Sequence, residues 1–106
     1  MEWMDLANIA TREVVPGFHG RFVHSENMTL VWWDVVSGST LPLHQHPHEQ
    51  VTQVIEGELE LTVNGETRLL KPGAVIVIPG GTLHSGKAVT PCKLFDAFYP
   101  IRQEYR

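Results

Sequence analysis

Residues 38–50 read Gly38-Ser-Thr-Leu-Pro-Leu-His44-Gln-His46-Pro47-His48-Glu49-Gln50, and this run constrains the fold more than any other part of the chain. Residues two apart on an extended strand point to the same face, so His44 and His46 are expected to present two imidazoles to one ion. Gln50 follows beyond the bend expected at Pro47 and can offer a side-chain oxygen. A His-x-His alone is a weak signal, because histidines are common on surfaces and His46-Pro47-His48 also suits a solvated bend. A second stretch strengthens it: Gly73-Ala-Val-Ile-Val-Ile78-Pro79-Gly-Gly81-Thr-Leu-His84 supplies a third imidazole from a later strand. Two histidines from one strand and one from another can hold a metal while leaving positions open for substrate. His48 is expected at the rim or behind the ligands, and Glu49 exposed or behind them as well.

The surrounding chain reads as β structure. Met28 to Val36 is rich in β-branched and aromatic residues, and Cys92 to Tyr99 supplies a last strand before Pro100. From Glu58 to Val63, Leu59, Leu61 and Val63 alternate with polar neighbours. Asn64-Gly65 then signals a type I′ hairpin turn, and the chain returns over Arg68 to Leu70. Ala74 to Ile78 is wholly apolar and reads as a buried strand. Only Met1 to Thr11 and the last few residues can hold a short helical turn.

Length and composition agree with one small all-β domain. The chain has 106 residues, 42% of them hydrophobic, and a formal charge of −4. A basic surface suited to nucleic acid is missing, and no run of roughly 18 apolar residues suggests a membrane span. The start lacks a basic segment followed by an apolar run, so a cytoplasmic protein is expected. Cys92 is the one cysteine, which excludes an internal disulfide and a cysteine-based metal site. A chain this short buries roughly 65% of its unfolded surface, so a homodimer is expected to add burial, with Trp32, Trp33 and exposed strand edges as candidates.

The two histidine stretches resemble the paired signature motifs of the cupin superfamily. Gly38, His44, His46, Gln50 and Gly57 fit the first at every spacing, with Gln50 where glutamate is usual. Gly73, Pro79, Gly81 and His84 fit the second, with Ala88 where asparagine is usual. The resemblance implies a double-stranded β-helix, or jelly-roll barrel, over about residues 20–100, with residues 1–15 a strand or an arm. It also implies one divalent metal ion held by His44, His46, Gln50 and His84. Nickel, zinc, manganese and iron all suit such donors. A neutral carboxamide leaves the ion nearly its full charge, which favours an anionic substrate. Alternatively, Gln50 only hydrogen-bonds and the ion has three protein ligands.

Asp96-Ala-Phe98, with Arg102 four residues on, adds a finer likeness. Asp96 and Phe98 share a strand face, and Arg102 can reach back over the barrel mouth. An exposed aspartate, a core phenylalanine and a solvated arginine are the ordinary alternatives. With His46-Pro47-His48-Glu49-Gln50, the segment resembles the cupins of pectin and alginate breakdown often called KdgF. That resemblance implies conversion of 4,5-unsaturated monouronates into linear 5-keto-4-deoxyuronates, with Asp96, Phe98 and Arg102 facing a small anionic substrate. A metal-dependent cupin dioxygenase and a non-catalytic small-molecule-binding cupin are the competing expectations. His19 and His24 have no role legible in the sequence.

Overall fold

The computed structural model describes residues 1–106. Ten strands form it: β1 (Arg12–Val15), β2 (Phe18–His24), β3 (Thr29–Val35), β4 (Thr40–His44), β5 (Glu49–Glu56), β6 (Leu59–Val63), β7 (Glu66–Leu70), β8 (Val75–Ile78), β9 (His84–Ala88) and β10 (Cys92–Tyr99). They build a six-stranded sheet in the order β1-β2-β3-β10-β5-β8 and a four-stranded sheet in the order β4-β9-β6-β7. Every pairing is antiparallel, and the non-consecutive neighbours give the crossed connections of a jelly roll. The short helical turns anticipated at the ends are present at Leu6–Asn8 and Gln103–Tyr105.

Period-two patterning creates the core. On β3, Thr29, Val31, Trp33 and Val35 are buried, whereas Leu30, Trp32 and Asp34 face the other way. On β10, Cys92, Leu94, Asp96 and Phe98 point inward. Leu59, Leu61 and Ala88 of the smaller sheet close the core from the opposite side. Trp33 sits at its centre, edge-on to Phe18 at 6.0 Å, Phe22 at 5.6 Å and Tyr105 at 6.1 Å. Such aromatic pairs add roughly 0.5–1.5 kcal/mol each beyond the area they bury. The β6–β7 hairpin turns at Asn64 (φ 49°) and Gly65 (φ 81°), the two positive angles a type I′ turn demands.

Two expectations change. Ala74 to Ile78 is not buried on both faces, because β8 is an edge strand: Ile78 is fully buried, but Val75 and Val77 are 60% and 57% exposed. Of the two tryptophans named as candidates for a dimer surface, Trp33 points into the core and only Trp32 lies on the outer face. No helix is long and apolar enough to cross a membrane.

Because Ile78 is the β8 side chain that the core fully encloses, Ile78→Ala should cost about 2–5 kcal/mol of stability. Urea unfolding followed by circular dichroism measures this, and a loss below about 1 kcal/mol contradicts the packing described.

Candidate metal centre

A bulge aims the first histidine. Leu41 pairs with Gly86, but His44, not Leu43, pairs with His84, so one extra residue lies in β4 around Pro42. Proline has no N–H for the ladder, and the slip turns His44 to the inner face while Leu43 stays 65% exposed. His46 lies beyond the end of β4 rather than on it. Simple strand alternation therefore places neither imidazole, and the bulge with the loop after it does. The turn Pro79-Gly80-Gly81 holds that loop. The Gly81 N–H donates to the His46 carbonyl at 2.8 Å, and a Cβ on Gly80 would collide with the Pro47 carbonyl oxygen. The proline and glycines of the second stretch thus position a histidine of the first.

His44, His46 and His84 converge, with one ring nitrogen from each lying within 4.8 Å of the others. The backbone fixes their tautomers. His44 Nδ1 meets the Pro42 carbonyl at 2.7 Å, His46 Nδ1 the His48 carbonyl at 3.1 Å, and His84 Nδ1 the Thr82 carbonyl at 2.8 Å. Carbonyl oxygens only accept, so each Nδ1 carries the proton and each Nε2 presents a lone pair. His84 Nε2 is buried and has no hydrogen-bond partner. Burial, above all, and then the charges of His44 and Arg102 hold the His84 imidazole below its usual range, against the bond to Thr82. Burial and the Arg102 charge lower His46 further, to about 4, although the contact with Gln50 opposes them.

Gln50 is oriented by a directional chain. Asp96 accepts from the Thr52 hydroxyl at 2.6 Å through Oδ1 and from the Trp33 indole N–H at 2.9 Å through Oδ2. Thr52, having donated its proton, accepts from the Gln50 amide nitrogen at 2.9 Å. Gln50 Oε1 must then face the histidines, and it lies 3.0 Å from His46 Nε2. Two lone pairs meet across that distance, and His46 does not protonate near neutral pH to relieve them. A cation between the donors does relieve them. The residues present therefore fit a divalent ion held by neutral imidazoles and a carboxamide oxygen.

Beside this cluster opens a cavity of about 400 Å³. His44, His84, Gln50, Asp96 and Arg102 line its polar end, and Leu59, Leu61 and Leu94 its apolar end. Asp96 is 8% exposed, and burial raises its pKa despite the bonds from Thr52, Trp33 and Gln50 and the charge of Arg102. Arg102 lies across the Phe98 ring at 4.9 Å and the Tyr105 ring at 4.1 Å. Its Nε donates to Glu104 Oε1 at 2.9 Å, and its two terminal nitrogens have no protein partner. Phe98 is buried edge-on to His46 at 5.7 Å.

The structure thus brings together His44, His46, Gln50, His84, Asp96, Phe98 and Arg102. It also gives site roles that the sequence did not show. Thr52 and Trp33 fix Asp96, and Glu104 and Tyr105 hold Arg102. His48 is buried; its carbonyl orients His46, and its Nε2 lies 4.0 Å from Glu104. Glu49 is exposed. His24 joins the Thr29 hydroxyl at 2.9 Å to the Tyr105 carbonyl at 3.0 Å, and the Arg102 N–H donates to the same Thr29 oxygen at 2.8 Å. The C-terminal segment that carries Arg102 is tied down there. His19 makes a surface contact with Glu13 at 3.4 Å.

If the cluster holds a divalent cation, Thr52→Val should weaken binding roughly 10–100-fold by freeing the Gln50 amide, and His84→Ala should weaken it more. Competition against a chelating dye measures both. Unchanged affinity in Thr52→Val removes the orienting role given to the hydroxyl.

Comparison with known proteins agrees with this architecture. Quercetin 2,3-dioxygenase of Bacillus subtilis is 48% identical over 50 residues, a match covering 45% of this chain but only 14% of that enzyme. An uncharacterized protein of Streptomyces coelicolor is 28% identical over 75 residues, 71% of each chain. Among solved structures, KdgF from a Halomonas species superimposes with a TM-score of 0.93 at 28% identity, over 100% of this chain and 99% of that one. An RmlC-like cupin from Shewanella frigidimarina gives 0.94 at 22% identity, over 100% and 96%, a likeness of fold. The family profile described as "Cupin domain" matches residues 31–98, from β3 through the last inward residue of β10. The chain is a member of the cupin family.

Proposed function

We propose that this cupin is a metal-dependent enzyme that converts 4,5-unsaturated monouronates into linear 5-keto-4-deoxyuronates. The observation that carries the reading is the convergence of three imidazole Nε2 atoms, a carboxylate and an arginine with free terminal nitrogens beside one end of a cavity. The likeness to KdgF over the full chain supports it. His44, His46, His84 and Gln50 are the proposed metal ligands, and Asp96, Phe98 and Arg102 the substrate-facing groups.

The substrate is a cyclic enol ether that carries a carboxylate and a hemiacetal carbon. In the reaction the C1–O5 bond breaks, the hemiacetal hydroxyl loses its proton as C1 becomes an aldehyde, and a proton reaches C4 as C5 becomes a ketone. The change is an isomerisation and needs no oxidant. A divalent cation, when bound, supplies positive charge that stabilises the developing enolate oxygen. Arg102 pairs its two terminal nitrogens with the substrate carboxylate. Glu104 occupies only Nε, so it holds the guanidinium without filling that fork. Asp96 lies in the cavity wall, where it receives the hydroxyl proton and returns it to C4. Phe98 packs against the sugar ring, and the leucines opposite keep water from the enol.

Metal-loaded protein should speed the loss of double-bond absorbance in unsaturated galacturonate or guluronate, with and without oxygen, and a chelator should abolish the effect. Decay at the spontaneous rate in the loaded protein ends this reading. The 48%-identical segment of quercetin 2,3-dioxygenase and the three-imidazole donor set favour one rival, a dioxygenase. That rival requires oxygen uptake during turnover.

Two substitutions separate the roles. Asp96→Asn should lower kcat by about 10²–10⁴-fold while leaving KM near its value. Arg102→Lys keeps the charge but loses the paired geometry, and it should raise KM about tenfold or more. Steady-state kinetics read both, and an Asp96→Asn protein with normal kcat removes Asp96 from the proton transfer.

A further inference from the structure

The cavity runs deeper than the polar groups gathered at one end of it, and strand register sets its wall in steps. At the first step Phe98 pairs with Gln50 in the larger sheet, and His84 with His44 and Val63 in the smaller one. Two residues inward along β9 and β10, Asp96 pairs with Thr52, and Gly86 with Leu41 and Leu61. Two further on, Leu94 pairs with Trp33, and Ala88 with Leu59. Gly86 is therefore the inward residue of β9 between two buried ones. A Cβ there would lie 3.4 Å from Leu61 Cδ1, 3.5 Å from the Glu60 carbonyl oxygen and 3.7 Å from Leu59 Cδ1. Those are ordinary contacts, so the fold admits a side chain at this position, and its absence leaves room in the wall. The polar groups that border the inner end are paired with one another. Asp96 takes the Trp33 indole N–H at 2.9 Å and the Thr52 hydroxyl at 2.6 Å. A sugar carried past them would leave its own hydroxyls without partners, at a cost, whereas an apolar cavity takes hydrocarbon readily.

We propose that the inner end is a tail-binding subsite and that the chain binds straight-chain monocarboxylates of medium length. The carboxylate sits on the two free terminal nitrogens of Arg102 at the polar end, and the alkyl chain runs along Gly86 and Leu61 to Leu59 and Leu94. Arg102 is fixed before a ligand arrives. Glu104 Oε1 holds its Nε at 2.9 Å, and the rings of Phe98 and Tyr105 back the guanidinium at 4.9 Å and 4.1 Å. The open fork suits the two oxygens of a carboxylate. Strand geometry sets the length of the tail. From His84 to Ala88 the wall advances roughly 13 Å at ~3.3 Å per residue. At roughly 1.25 Å of advance per carbon for ~1.5 Å bonds, that depth takes a chain of about eight to ten carbons. The volume of about 400 Å³ falls within the ~300–1,000 Å³ of pockets that enclose small molecules. The subsite goes beyond the proposed uronate reaction and does not rest on it, because neither an ion nor turnover is needed to hold the tail.

NMR titration of the full, isotopically labelled chain with acetate, butyrate, hexanoate and octanoate tests this. Each added CH₂ should tighten binding about threefold, so octanoate should bind on the order of a hundredfold or more tighter than acetate. The largest shifts should fall at Gly86 and at the methyls of Leu59 and Leu61. The alcohol n-octanol lacks the charged head and should bind about tenfold or more weakly than octanoate. Arg102→Gln should bring octanoate down to the level of the alcohol. Gly86→Val fills the gap in the wall and should weaken octanoate about tenfold or more while leaving acetate unchanged, with Gly86→Ala in between. Affinity that does not rise with chain length in the wild type overturns the proposal, because the inner end is then closed to hydrocarbon, and that result needs no variant to fold. Octanoate bound at wild-type strength by a folded Gly86→Val or Arg102→Gln protein also overturns it, because the tail or the head then lies elsewhere. None of these readouts involves a uronate, so they stand or fall apart from the proposed reaction.

Discussion

Three backbone carbonyls, those of Pro42, His48 and Thr82, take the Nδ1 protons of three histidines, and the rest of the site follows from that constraint. Once Nδ1 is committed to an acceptor, a neutral imidazole has only a lone pair left to present at Nε2. The three lone pairs converge, and that of His84 is buried with no partner, so repulsion and, at His84, loss of water raise the energy of the cluster. Such a cluster is stable in a folded chain because other bonds over-determine it. The β4 bulge turns His44, the Pro79-Gly80-Gly81 turn clamps the loop of His46, and strand pairing with His44 sets His84. The strain is held locally and a cation would release it, which is the arrangement expected of a preorganised metal centre.

Strand β10 connects that centre to the remainder of the molecule. It lies between β3 and β5, so its inward residues are flanked on both sides. Asp96 pairs across to Val31 and Thr52, and Phe98 to Thr29 and Gln50. The bond from Thr52 to Asp96 thus runs between neighbouring strands, and that from Trp33 reaches in from β3. Both are fixed by sheet register rather than by flexible loops. A carboxylate so placed serves two ends: it sets the proton of Thr52, which sets the amide of Gln50, and it also lines the cavity. The outward residues of the same strand, Phe95 and Ala97, lie on the opposite face of the sheet.

The spacing of glycines, prolines and histidines made the fold and the inward set legible, because those residues report backbone conformation and metal-binding chemistry directly. Alternation also placed Asp96 and Phe98 on one face of β10, and the structure shows that face to be the buried one. What the sequence hid depends on register and on neighbours. No local signal marks Thr52 as the residue opposite Asp96, since that pairing joins positions 44 apart in sequence. His24 is unreadable for the same reason: its partners are a threonine five residues on and a carbonyl 81 residues away. The bulge around Pro42 has no signal in the sequence beyond the proline itself, and it is this bulge rather than regular alternation that turns His44 inward. Val75 and Val77 misled in the other direction. An apolar run does not by itself show that both faces of its strand are covered, and here Val75 and Val77 stay exposed.

Charge at the mouth completes the argument about the Gln50 position. The formal charge of −4 describes the whole surface, whereas the cavity end carries Asp96, Glu104 and Arg102. Burial works against the charged form of Asp96, and Glu104 is paired with Arg102 at 2.9 Å. A divalent cation on neutral donors would add its full charge to that end of the cavity. Had the family's usual glutamate stood in place of Gln50, it would have cancelled half of the ion's charge. The carboxamide therefore leaves a bound ion with a stronger pull on an anion than a carboxylate would. Because the centre is largely buried and screening by salt acts weakly there, that pull should persist at physiological ionic strength, where a similar change at the exposed Arg68–Glu66 pair would count for little.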